Sequence, residues 1–115
     1  MEKNEIEKGQ VFVLADVVEY VPNSVTSHTI LMKATGRVSL ASIDSREVVE
    51  RTSPFDKLIL VIDGRAEVMI EGKSFSLDTG QAIIIPAHAR NSIVGTDRFK
   101  IMSTIIKSGY EEVIM

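Results

Sequence analysis

The stretch "DGRAEVMIEGKSFSLDTGQAIIIPAHARNSI", Asp63 to Ile93, decides how this chain folds. Short apolar runs alternate with turn residues. Ala66 to Ile70 reads as a strand, and Glu71-Gly72 turns the chain into "KSFSL". Asp78-Thr79-Gly80 is a second turn. Gln81 to Ile85 is a strand that Pro86 stops, because proline has no N–H to donate to a ladder. A polar cluster with His88 and Asn91 follows. Upstream, Leu58 to Ile62 is another strand, and the Asp63-Gly64 pair after it predicts a hairpin into Ala66 to Ile70.

The rest of the chain extends this pattern. Val11 to Ala15 is a short apolar run that reads as a strand. "VTSHTILMKA" is rich in β-branched residues, and Thr35-Gly36 separates it from "VSLASI". Phe99 to Ile106 alternates apolar and small residues. "DSREVVER" and "SGYEEVIM" each have room for no more than a helical turn. Several short strands with regular turn signals predict an all-β sandwich or barrel.

The chain has 115 residues, the size of one domain with a real core, so residues 1–115 are expected to form one unit. It is 44% hydrophobic and 25% charged, which speaks against a disordered or fibrous chain. A net charge of -3 gives no general attraction to nucleic acid or anionic membrane. The absence of cysteine excludes disulfides, a thiolate nucleophile and a cysteine zinc site. The polar opening "MEKNEIEKGQ" lacks the apolar core of a signal peptide, and "LILVI" and "AIII" are too short to span a membrane. The expected location is the cytoplasm.

In register, Gly64, Gly72, Gly80 and Pro86 resemble the second half of a small single-domain cupin. "SPFDKLILVIDG" resembles the strand that enters it, and the resemblance spans about Val38 to Ile106. It implies a cupin barrel of the jelly-roll (double-stranded β-helix) type, and a homodimer. Cupins usually bind a metal through a His-x-His pair, a glutamate and a last histidine. Carried onto this chain, the glutamate falls on Lys57. The His-x-His pair falls on Arg51 and Ser53, or on Glu50 and Thr52. The last histidine falls on Asn91, and a turn glycine falls on His88. None of the four usual ligands is present, so no metal or other cofactor is expected. Arg cannot deprotonate, Lys repels a cation and Asn is a weak donor. An unusual metal site would have to draw on Glu47, Glu50, Asp56 and His88.

The candidate pocket residues are therefore Arg51, Ser53, Phe55, Lys57, His88 and Asn91. Strand alternation aims Lys57 inward with Ile59 and Val61, and Asn91 inward with Ile93. Two cations at one mouth favour a carboxylate or phosphate, which arginine can grip with two hydrogen bonds. Phe55 suits core packing or a pocket wall, and Asp56 faces away from Lys57 as a surface or turn-capping group. His88 reads as an exposed turn residue and His28 as a partly exposed strand residue. The function expected is a metal-free cupin that binds a small, anionic molecule, without nucleic-acid or membrane partners. Two alternatives follow from the same residues. One is a metal-independent enzyme like the sugar isomerases or epimerases, using His88, Lys57 or Tyr20 for proton transfer. The other is a regulatory protein with its pocket closed by side chains.

Overall fold

The computed structural model describes residues 5–44 and 49–107. Among them, nine strands form two antiparallel sheets. In chain order they are β1 (Val25–Lys33), β2 (Gly36–Ile43), β3 (Val49–Arg51), β4 (Lys57–Asp63) and β5 (Arg65–Ile70). Then come β6 (Lys73–Asp78), β7 (Ala82–Ile85), β8 (Asn91–Val94) and β9 (Phe99–Ile106). One sheet has the order β1-β2-β9-β4-β7 and the other β3-β8-β5-β6. From β2 onward the chain passes back and forth between the sheets, and only β5 to β6 stays within one. That is the jelly-roll winding expected from the turn pattern.

The core fills the space between the sheets. β4 is buried at every second residue, with Ile59 and Val61 fully covered. Ile43, Ile85, Phe99 and Ile101 join them from the same sheet, and Ala66, Val68, Leu77 and Ile93 from the opposite one. A smaller cluster lies on the outer face of the five-stranded sheet. Leu40 pairs with Met102, and Met102 with Leu60, so all three face away from Ile59 and Val61. Leu40 is nevertheless fully buried, because Val18, Leu14 and Val17 lie over it.

Those three residues correct one expectation. The run Val11 to Ala15 is not a strand: Val13 is extended, and Leu14–Val17 form one helical turn, α1. Only Leu14 of the run packs on the sheet face, with Val17 and Val18 just beyond it, while Val11, Phe12 and Val13 stay exposed. Lys100 Nζ donates to Ala15 O at 2.5 Å and fastens α1 to the sheet. In "DSREVVER" the described part is strand, with Val49–Arg51 forming β3. Residues 45–48 and "SGYEEVIM" lie outside the described residues.

A second expectation also changes. Asp63-Gly64 is not a hairpin turn, because β4 pairs with β7 and β9 whereas β5 pairs with β6 and β8. Gly64 is the corner where the chain leaves one sheet for the other. Its φ is +86°, and an added Cβ would lie 2.7 Å from Arg98 O. Only glycine meets both conditions. The true hairpin is Glu71-Gly72, with Ile70 paired to Lys73 and both turn residues at positive φ. Glu71 tolerates this because its carboxylate accepts from Arg90 N (2.9 Å) while its own N–H donates to Arg90 O (2.9 Å).

Candidate functional site

Lys57 opens β4 on the inner face, in one row with Ile85 on β7 and Ile105 on β9. It is 8% exposed. Neither a carboxylate nor a hydrogen-bond acceptor meets its ammonium among the described residues. Burial, and then the nearby Arg51 guanidinium, hold its pKa below the ordinary 10.5. From the opposite sheet, β3 and β8 present Arg51 and Asn91 as directly paired residues. Paired residues share a sheet face, and Asn91 is inward with Ile93, at 2% and 5% exposure. Arg51 is therefore on the inner side of its strand, at the rim, with its side chain exposed.

Two loops close this end of the barrel. Ser53 O accepts from His88 N at 2.6 Å, and Asp56 Oδ1 accepts from Ala87 N at 2.8 Å. Ser53 Oγ accepts from Phe55 N at 3.1 Å, shaping the turn that leads into β4. Asn91 Nδ2 donates to Arg51 O (3.1 Å) and Ala89 O (3.2 Å). The six sequence-derived candidates are thus on two adjoining loops and three strand ends at one barrel mouth. Their parts differ. Lys57 and Asn91 are interior, Ser53 and Phe55 half-buried, and Arg51 and His88 exposed. His88 has φ +69°, the conformation of the turn glycine it replaces.

The register adds residues that sequence alone did not single out. Arg37 pairs with Ile105, so it shares the face of Lys57 and is the second cation in that row, with its side chain exposed. Ser39 and Ser103 pair with each other and with Ile59 in the next row, which places two half-buried hydroxyls on the barrel's inner face.

Of the three proton-transfer candidates, Lys57 and His88 share the mouth and Tyr20 does not. The Tyr20 hydroxyl donates to Asp63 Oδ2 at 2.6 Å, at the end of β4 opposite to Lys57. Six strand residues separate the two ends by about 20 Å. Arg98 and Lys100 lie over the Tyr20 ring, 4.4 and 4.8 Å from its centre. Burial and then the Asp63 hydrogen bond push the phenol well above its usual 10.0, so Tyr20 stays protonated. Its folded pKa lies above the unfolded one. The stability it contributes is therefore present below pH 10.0 and lost as pH rises beyond it. Tyr20→Phe is expected to cost about 1 kcal/mol at neutral pH and to flatten the alkaline fall of stability. Urea midpoints measured across that range check it.

A metal tests poorly against these side chains. The glutamate position carries an inward ammonium, and the last histidine position an amide whose NH2 is committed to two carbonyls. Asp56 is spent on Ala87 N, and Glu47 lies outside the described residues. Among the described residues, no three His, Cys, Asp or Glu side chains come together as a metal would need. The residues present do not fit a divalent transition metal.

The winding resembles that of known proteins. A family model for the ethanolamine utilisation protein EutQ matches residues 16–109. The chain belongs to the EutQ family. Solved structures agree on a small cupin barrel for this EutQ-family chain. A cupin superfamily protein from Desulfitobacterium hafniense is 25% identical, covers 92% of this chain and 97% of its own, and superposes with a TM-score of 0.83. A cupin 2 conserved barrel domain protein from Leptotrichia buccalis is 28% identical over 84% of this chain, with a TM-score of 0.80. This chain spans 47% of that one. A putative ethanolamine utilisation protein Q from Salmonella typhimurium is 14% identical, with 74% of this chain and 71% of that one covered and a TM-score of 0.67. It speaks to the fold alone. None of the curated proteins matches. No helix among the described residues is long and apolar enough to cross a membrane.

Proposed function

We propose that this EutQ-family barrel binds a small carboxylate or phosphate at its mouth, without a metal. One observation carries the reading. The Lys57 side chain is 8% exposed and flanked by two isoleucines, and its ammonium lies beside a second cation without an internal counter-charge among the described residues. Such a group is costly to hold unless an opposite charge joins it. Arg51 at the rim can grip that anion with two parallel hydrogen bonds, and Arg37 adds to the field. The interior hydroxyls of Ser39 and Ser103 suit a small polar ligand more than a hydrocarbon. The lack of cysteine is in keeping with a reducing cytoplasm.

Thermal melts with acetate, succinate, inorganic phosphate and a sugar phosphate test this, with chloride matching the ionic strength. A binding anion at about a hundred times its Kd should add about 2.7 kcal/mol of stability. The gain should saturate and should vanish in the Arg51→Ala/Lys57→Ala double variant. If every anion acts only as chloride does, the mouth is not an anion site.

A further inference from the structure

Asn91 says more about the ligand than its charge. Its side chain is 98% buried and already spends both amide protons, on Arg51 O and Ala89 O. Those two acceptors fix the orientation of the amide. If it were turned over, its oxygen would face two carbonyl oxygens, and two donors would be lost. Asn91 Oδ1 therefore points away from them, buried and without a hydrogen-bond partner. A buried acceptor left unmade is the costly half of a hydrogen bond.

This acceptor belongs to the same mouth as the cations. Asn91 is the direct cross-strand partner of Arg51, and Lys57 lies on the inner face of the other sheet at the same end of the barrel. An anion held by Arg51 and Lys57 thus lies near a carbonyl oxygen that repels negative oxygens and attracts an O–H. A plain carboxylate answers the cations and leaves Oδ1 unanswered. A carboxylate with a neighbouring hydroxyl answers both.

Resting on the anion reading above, we propose that the ligand class is a small hydroxycarboxylic acid, whose carboxylate meets Arg51 and Lys57 and whose hydroxyl donates to Asn91 Oδ1. Asn91 is then the residue that selects for the hydroxyl, and the cations select for the charge.

Matched pairs separate the two contributions. Affinities of the full chain for acetate and glycolate, propionate and lactate, and succinate and malate are measured by titration calorimetry at constant ionic strength. The hydroxylated member of each pair should bind about tenfold tighter, the worth of one buried acceptor gaining its donor. In Asn91→Leu the ratio within each pair should fall close to one, whatever the variant does to overall stability. If Asn91→Leu does not fold, the ratios in the unmodified protein still decide. Equal affinities within every pair would overturn the hydroxyl assignment and leave the anion reading standing, with a water serving Oδ1. Inorganic phosphate binding tighter than every hydroxy acid would overturn the carboxylate class. If no anion binds, the anion reading fails and this assignment with it.

Discussion

Phe99→Ala is expected to cost about 3–5 kcal/mol, enough to consume much of the stability of a domain this size. Phe99 is the largest fully buried side chain among the described residues, in a sequence with four phenylalanines and no tryptophan. It opens β9 opposite Ile43 and fills the barrel at the end away from Lys57. The chain is shaped around it. A Cβ added at Gly95 would lie 2.6 Å from Phe99 Cδ1 and 2.7 Å from Cε1, and one at Gly64 would lie 3.1 Å from its Cβ. Gly95→Ala should therefore also destabilise, by about 1–3 kcal/mol, through overpacking instead of a void. The two together should be less than additive, because removing the ring relieves its clash with the new methyl, while the clash with Asp97 O, also at 2.6 Å, remains. Urea midpoints of the three variants check this. Simple additivity would mean that the ring does not rest on Gly95.

The turn chemistry made the barrel readable. Gly72, Gly80 and Pro86 end strands for local reasons, and the structure uses each one as the sequence suggests. Asp63-Gly64 misled because positive φ serves a corner as well as a hairpin. Pairing partners, which are remote in sequence, decide between the two. The strand reading of Val11 to Ala15 failed for a related reason. Apolar content does not say whether a segment pairs in a ladder, covers a face as Leu14 does, or stays exposed as Val11 to Val13 do. At the mouth, side-chain alternation along single strands correctly set Lys57 and Asn91 inside. The ties that hold the loops, Ser53 O to His88 N and Asp56 to Ala87 N, involve main-chain groups that no residue identity reveals. Arg37, Ser39 and Ser103 were hidden because their common face is set by the β2–β9–β4 register and by no local motif.

Lys57→Met should move stability and binding in opposite directions. Without ligand, the ammonium is held between Ile85 and Ile105 beside Arg51, so exchanging it for a side chain of similar length removes a desolvated charge. The expected gain is about 1–3 kcal/mol, seen as a rise of roughly 4 °C in Tm for each kcal/mol. Anion affinity should fall about tenfold to a hundredfold, the worth of a charged hydrogen bond. The pH dependence gives an independent sign. The folded pKa of Lys57 lies below the ordinary 10.5, so between the two values the unfolded chain holds more protons. Stability of the unliganded protein should rise with pH across that window, and Lys57→Met should remove this slope. Anion binding runs the other way. It needs the charged form, so affinity should weaken as pH climbs through the lowered pKa, in a range where an unperturbed lysine would still be charged. A Lys57→Met protein that is less stable, with unchanged anion affinity, would show that the ammonium is already paired within the barrel. A site that gives up stability to hold an uncompensated cation is one built to be completed from outside.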